Sequence, residues 1–552
     1  MSDFSRSQDF RENFEKNFSY IKGFMRNVTR FASRPALSEP ATGRKWTYRE
    51  LNLDVNRLCS ALHEDGVSNG DVVMYMLRNC PEFVFCYLAP QKLGAVNCPI
   101  NFRQAAGETA LNIEDSAPKV FIYDSKFTEL ALHALELSEH KPERIICVDT
   151  TGIGSVPEGH VLYSDYTRYM YDGEPATDAE CDIYEESTRF YTSGTTNRPK
   201  GVPIFSLGEV LSAHDVIMHF PLSPIDRTLN MTPWFHRGGL HSGGPCPTLY
   251  VGGEVIALLE FSPETVLKLT EEHKITFLIG APATLTYLAK AQDRINADLS
   301  SLKGIVTMGS PLDKATCLYF QKTLTPNIFN GYGTTETFWN SFLRPYELPD
   351  HAGSCGRSCT DDDVRVVKVY PDHRAEPDEL VAQDNTEIGE VIIFSPSKSG
   401  YLYHNNPEMT TKKFYKGYLY TGDMGTWDEE AYVTISGRKD DMIISASENI
   451  YPAQLEGVLN EHPKVSESCV VGVADPIRGQ AVAAYIVASD DSMTIREISN
   501  YMNKHEMVSP YKRPKYYCIC QSLPHTASGK LRHCELRAQA DSDLAKGILI
   551  RS

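Results

Sequence analysis

Between Thr47 and Ile100 the chain switches repeatedly between helical and strand-like apolar patterns, and this alternation constrains its fold more than any other feature. Thr47 and Glu50 are spaced as a capping box, and Leu51, Val55, Leu58 and Leu62 recur on one helical face before Gly66 offers a stop. Val72 to Leu77 then reads as an apolar strand, about Pro81 to Leu93 as a second helix, and about Val96 to Ile100 as another strand. Helices alternating with strands build parallel layers, so the expected fold class is α/β.

The C-terminal part has a different grain. Strand-like runs at Ser468 to Val473 and Ala481 to Val487, a helix near Ile495 to His505 and a strand at Tyr516 to Cys520 describe a small α+β unit. With 552 residues, roughly three to four times the usual domain length, the chain needs more than one core. The polar stretch GRKDD places the boundary near Asp440, which divides the chain into 1–439 and 440–552.

Charge and composition exclude several function classes. Lys and Arg total 54 against 72 Asp and Glu, and the net charge of −18 disfavours a nucleic-acid or anionic-membrane partner, since both need a positive field. The charged N-terminus lacks the apolar core of a secretory signal, and no apolar run is long enough to span a bilayer, so a soluble, cytoplasmic protein is expected. The 14 cysteines are scattered without a CxxC pair, which favours reduced thiols. Cys518, Cys520, His525, His533 and Cys534 are of zinc-ligand type, but their spacing matches no standard zinc motif.

Tyr191 to Gly201, YTSGTTNRPKG, concentrates hydroxyls, glycines and one lysine in a stretch expected to be neither helix nor strand. Small residues would let backbone N–H groups approach phosphate oxygens while Lys200 supplies charge, although the Walker spacing is absent. On composition alone, a polar surface turn is the simpler reading.

YTSGTTNRPKG followed in order by NGYGTTE, YTGD, GRKDD and PHTASGK resembles the adenylate-forming superfamily, which holds acyl-CoA synthetases, peptide-synthetase adenylation domains and firefly-type luciferases. The resemblance runs from about Trp46 to Arg532. It implies a large N-terminal multi-layer α/β domain, a small mobile C-terminal α+β domain and an active site between them. It further implies that Thr192, Ser193, Gly194, Thr195, Thr196 and Lys200 hold the β- and γ-phosphates of ATP. Within Asn330, Gly331, Tyr332, Gly333, Thr334 and Thr335, Tyr332 would lie against adenine and Thr335 would contact the α-phosphate. Glu336 would bind Mg2+, Asp423 the ribose hydroxyls with Arg438 as a nearby donor, and Gly309 and Ser310 would rim the adenine and acyl pockets.

His236, in PWFHRGG, matches a histidine between the acyl site and the coenzyme A route, while Arg237 beside it is expected to face outward. Lys530 matches the lysine that bridges the substrate carboxylate and ATP during adenylation. Asp440 maps to the hinge about which the C-terminal domain turns, and Ser445, Ala446, Ser447 and Glu448 to the coenzyme A channel. Here Ala446 and Ser447 replace the usual Gly-Gly pair, which adds side-chain atoms to the channel wall.

The implied chemistry is AMP-forming ligation of a small-molecule carboxylic acid to coenzyme A, reversible overall, by a monomer or homodimer. Trp234, Met308, Phe338 and Trp339, with Gly309 and Gly333, border the expected acyl pocket, and their bulk favours a compact aromatic, alicyclic or short- to medium-chain acid. Two alternatives differ in class. An adenylating module that serves a carrier protein or another acceptor usually shows Asp where this chain has His236, and a non-catalytic protein on the same fold would show decay at Lys200, Glu336, Asp423 or Lys530, all of which are intact.

Overall fold

The computed structural model describes residues 8–175, 182–192, 199–370, 372–445, 448–475, 479–490, 492–505, 508, 510–525 and 531–552. The first helix expected from the sequence spans Tyr48–Glu64, with both hydrogen bonds of the Thr47–Glu50 capping box formed. Leu51, Val55, Leu58 and Leu62 are wholly buried, and Gly66 follows with a positive φ of 77° that a side chain would disfavour.

Among the described residues four sheets form, and two of them carry the α/β layers. One orders Val161–Leu162, Arg144–Val148, Val120–Asp124, Val72–Met76, Val96–Pro99 and Glu186–Thr192 in parallel, and Lys200–Phe205 closes its edge antiparallel. Every residue of Val72–Met76 is buried, because helices cover both faces of such a sheet and leave no strand position for water. The second sheet includes Arg227–Asn230, Phe277–Gly280, Gly304–Met308 and Ile328–Thr334 in parallel, then turns back through Phe338–Leu343. An antiparallel sheet built on Gly389–Phe394 and Tyr418–Trp427 packs nearby through Val391, Ile393 and Trp427.

The C-terminal α+β unit is built on Val465–Asp475 paired antiparallel with Gly479–Ala488, with Tyr516–Cys520 added in parallel. Strand alternation gives this sheet two apolar faces. Val470, Val482, Ala484 and Ile486 pack under Leu455, Leu459, Ile498 and Met502, while Cys469, Val471, Ala483 and Tyr485 pack under Leu536 and Ala540. The sheet begins at Ile443–Ser445, immediately beyond a one-turn helix at Lys439–Asp441 that follows the strand Val433–Arg438.

Candidate active site

The stretch expected to be neither helix nor strand is strand at both ends. Tyr191 and Thr192 finish one strand, Lys200 and Gly201 open the next, and Thr192 pairs with Lys200. The ladder persists because its flanks are anchored: the Tyr191 hydroxyl donates to Asp115 at 2.7 Å, and the Gly201 carbonyl accepts from the His404 N–H at 2.8 Å. Ser193, Gly194, Thr195 and Thr196 lie outside the described residues.

A tight hairpin joins Ile328–Thr334 to Phe338–Leu343. Its geometry requires Gly333, since a Cβ there would stand 1.5 Å from the Phe338 carbonyl oxygen. Across from it Phe338 adopts a positive φ of 62°, an uncommon conformation for a bulky residue and a sign of strain held by the surrounding packing. Asn330 is buried and donates to the Ser354 carbonyl, and a Cβ on Gly331 would come within 3.0 Å of the Trp339 indole nitrogen. Thr334 and Thr337 share a 3.0 Å hydrogen bond below the turn. Gly309, with a φ of 90°, and Ser310 form the turn leaving the neighbouring strand Gly304–Met308.

Three expected nucleotide contacts meet at this hairpin. The Tyr332 hydroxyl donates to Asp423 Oδ2 at 2.7 Å, and Arg438 donates to Asp423 Oδ1 at 2.5 Å. Burial, reinforced by the Asp423 charge, pushes the Tyr332 phenol well above its ordinary pKa, so it stays a donor. Asp423 pairs with Arg438 across two antiparallel strands, which fixes the carboxylate at the sheet surface. Glu336 Oε1 accepts from the Tyr403 hydroxyl at 2.5 Å. Glu336 thus presents a carboxylate oxygen at the turn, a ligand type suited to a hard divalent cation.

Tyr403 and the half-buried Lys413, which donates to the Tyr420 and Thr421 carbonyls, were not singled out in the sequence. No local pattern marks them, since Tyr403 reaches Glu336 across 67 residues.

His236 caps the short helix Arg237–His241 and lies against Phe235, with ring centroids 4.3 Å apart. The outward reading of Arg237 is overturned. Its side chain is only 2% exposed, because it donates to the Thr335 carbonyl at 2.7 Å, the Lys398 carbonyl at 2.9 Å and Ser212 Oγ at 3.2 Å. Burial lowers its pKa to about 10, which still leaves it charged at neutral pH.

Beside it Phe338 stacks on Trp339 at 5.1 Å and 9°, and Trp339 meets Phe342 and Phe220. Met308 belongs to the same cluster, and a Cβ on Gly238 would reach its sulfur at 3.0 Å. Trp234 is wholly buried edge-on to Phe83, so it backs this region from the main core.

Under the site lie two fully buried ionic groups that the sequence did not reveal. Glu209 accepts from Thr188, Tyr87 and His241, which ties the Glu186–Thr192 strand to the helix that follows His236. Lys398 donates to Asp215 at 2.8 Å, Asp362 at 2.6 Å and the Trp339 carbonyl at 2.6 Å.

In the C-terminal unit, Ser445 pairs with Glu448 across an antiparallel bridge, while Ala446, Ser447 and Lys530 lie outside the described residues. The backbone of Asp440 sits in the Lys439–Asp441 turn between the last strand of the antiparallel sheet and the first of the C-terminal unit. His525 pairs with Glu467 and His533 with Glu456, so the two histidines of the zinc-type group engage different carboxylates.

Polar turns at the ends of parallel strands, a tyrosine–carboxylate pair and a glutamate at the adjoining turn suit a nucleotide-dependent enzyme. Residues 24–402 match the AMP-binding enzyme model and residues 454–530 match the AMP-binding enzyme C-terminal domain. The chain is 30% identical to a long-chain-fatty-acid–CoA ligase of Mycobacterium tuberculosis over 93% of this chain and 96% of that protein. It is also 30% identical to an indoleacetate–CoA ligase of Aromatoleum aromaticum, covering 90% and 93%. The crystal structure of an anthranilate CoA ligase in complex with anthranoyl-AMP superposes with a TM-score of 0.85 at 25% identity, covering 96% of this chain and 98% of that one. The chain belongs to the AMP-binding enzyme family, and its activity is that of an acid–thiol ligase.

Proposed function

We propose that this enzyme activates a compact aromatic, alicyclic or short- to medium-chain carboxylic acid with ATP and transfers the acyl group to coenzyme A. The observation that carries the choice of acid is the aromatic wall beyond the Thr334–Phe338 turn, where Phe338, Trp339, Phe342 and Phe220 interlock and none is more than 3% exposed. A wall already filled by four rings favours a short, closed acyl site over a long tunnel.

A carboxylate must be activated because its charge is delocalised and its leaving group would be oxide. Its oxygen attacks the α-phosphorus of ATP, the bond to pyrophosphate breaks, and the mixed anhydride with AMP results. The coenzyme A thiol then attacks the acyl carbon, loses its proton, and AMP leaves with the bonding pair.

In this reading the segment from Thr192 to Lys200 holds the β- and γ-phosphates, with Ser193, Gly194, Thr195 and Thr196 as its donors. Tyr332 packs against adenine within the rim of Asn330, Gly331, Gly333, Thr334, Gly309 and Ser310, Thr335 meets the α-phosphate, and Asp423 with Arg438 receives the ribose. Glu336 would hold Mg2+, which would offset phosphate charge. His236 stands between acyl site and thiol. Lys530 bridges carboxylate and α-phosphate during the first step, and rotation at Asp440 replaces it with the Ser445 to Glu448 segment, including Ala446 and Ser447, for the second.

The acyl pocket is bounded by Trp234, His236, Met308, Gly309, Gly333, Phe338 and Trp339. The domains divide at 1–439 and 440–552, and the enzyme acts in the cytoplasm as a monomer or homodimer. Among the described residues, no helix is long and apolar enough to cross a membrane.

An ATP–pyrophosphate exchange screen with benzoate-like, cyclohexane-type and straight-chain acids tests the reading. Highest kcat/KM is expected for a ring or short acid. Best turnover with a palmitate-sized acid would overturn the substrate class, and exchange with none of the acids would overturn the adenylation reading.

A further inference from the structure

Most buried cations near the site are matched by a carboxylate in direct contact. Arg78 pairs with Asp124 at 2.7 Å, Arg189 with Glu186 at 2.6 Å, and Lys398 with both Asp215 and Asp362. Arg237 differs. Its partners are two backbone carbonyls, a serine hydroxyl and the face of Phe338, 5.5 Å from the guanidinium carbon. Among the described residues no carboxylate lies within ion-pair distance of it, and its buried Nε has no hydrogen-bond partner. The carbonyls satisfy N–H groups but leave the charge uncancelled, and a charge in that condition is expensive to bury.

We propose that Arg237 is a positioning residue for adenylation, which fixes the Thr335–Glu336 turn through the Thr335 carbonyl and keeps an uncancelled positive charge behind the phosphates. The three hydrogen bonds tie that turn to the helix Ser206–His219 through Ser212 and to the Lys398 segment, so the backbone carrying Thr335 and Glu336 cannot move independently of either. Glu209, Glu336 and Asp362 act on the guanidinium only through longer-range attraction. Negative charge accumulates on the α-phosphoryl oxygens and on departing pyrophosphate during the first half-reaction, and a fixed cation in a water-poor setting favours that charge without reorganising. In the second half-reaction pyrophosphate has gone, the thiol attacks the acyl carbon, and charge builds only on the single phosphate of departing AMP, a better leaving group that needs less stabilisation. The contribution of Arg237 is therefore concentrated in the first step.

This inference rests on the proposed adenylation chemistry, and its test separates the two. With an acid that the unaltered enzyme accepts, full-length Arg237→Met and Arg237→Lys are assayed for ATP–pyrophosphate exchange and, separately, for thioester formation from preformed acyl-adenylate and coenzyme A. Exchange kcat/KM for ATP should fall about thirtyfold in Arg237→Met and about tenfold in Arg237→Lys, which keeps the charge but loses the fork that spans three acceptors. Thioester formation should stay within about threefold in both. If Arg237→Met does not fold, the ratio of the two losses in Arg237→Lys decides. Equal losses in the two half-reactions make Arg237 merely structural and overturn the proposal, as does exchange that is unchanged. Absence of exchange in the unaltered enzyme instead sinks the adenylation reading itself.

Discussion

The Tyr332 hydroxyl and the Asp423 carboxylate, 91 residues apart in the chain, are joined by a 2.7 Å hydrogen bond. The aromatic ring assigned to adenine and the carboxylate assigned to ribose are therefore mechanically one unit, contributed by two different sheets. With Arg438 on its other oxygen, Asp423 is held in a single orientation before nucleotide arrives, which lowers the entropy lost on binding.

Tyr332→Phe keeps the ring face and removes only this donor. A hydrogen bond to a charged acceptor is worth about 1.5 kcal/mol, so KM for ATP should rise roughly tenfold. The KM for the acid and the maximal exchange rate should change by less than about threefold, because neither depends on where the ribose is gripped. Steady-state exchange kinetics with each substrate varied in turn distinguish this from general damage. A loss confined to the maximal rate would mean that the Tyr332–Asp423 bond does not serve ATP binding.

His533 supplies a pH-dependent contact in the C-terminal unit. Burial disfavours its charged form, but the 2.6 Å hydrogen bond to Glu456, the Glu456 charge and Asp441 outweigh it and raise the imidazole pKa above its ordinary 6.5. The other facing groups are the buried thiol of Cys469, within 4.8 Å of both partners, and Arg537, which pairs with Asp441 at 3.0 Å.

A folded-state pKa above the unfolded value means that stabilisation is fully present below about pH 6.5 and is lost as pH rises through the folded value. Thermal melts of the unaltered enzyme and His533→Gln should therefore differ most at about pH 6, with the unaltered enzyme higher, and converge toward about pH 9. A difference that stays constant or widens over this range would show that the pair does not act through protonation.

The sequence made visible what depends on neighbours close along the chain. The Thr47–Glu50 capping box, the wholly apolar Val72–Met76 strand and the apolar run inside the Val465–Asp475 strand each follow from residues within a few positions of one another. The ordered motifs likewise singled out Tyr332, Glu336 and Asp423 as candidates, because each carries its own flanking pattern. What escaped was contact between distant segments. Arg237 looked like a surface charge because its acceptors at Thr335 and Lys398 are 98 and 161 residues away. Lys398 had no visible reason to be buried until Asp215 and Asp362 were brought to it. The Tyr191 to Gly201 stretch was misread because composition showed the loop chemistry but not the cross-strand pairing that carries the strands to Thr192 and Lys200.

The two half-reactions should separate by mutation, since Lys530 is assigned to the first and the Asp440 hinge to the passage between them. Lys530→Ala removes a charge contact made as carboxylate meets α-phosphate, and losing one such contact costs on the order of 3 kcal/mol, about a hundredfold in rate. ATP–pyrophosphate exchange should collapse accordingly. Given preformed acyl-adenylate and coenzyme A, the same variant should form thioester at nearly the normal rate, because the proposed rotation would by then have carried Lys530 out of the site. Asp440 stands in the single turn that links the strand ending at Arg438 to the one beginning at Ile443, the position proposed for the hinge. Proline there holds φ near −65° and removes a backbone donor, which restricts that rotation. Asp440→Pro should therefore form acyl-adenylate but pass it on slowly, the reverse of Lys530→Ala. Single-turnover measurements of each step in both variants decide the matter. Equal impairment of both steps in a folded Lys530→Ala enzyme would mean that Lys530 stays in the site throughout, and rotation about Asp440 would then have no catalytic purpose.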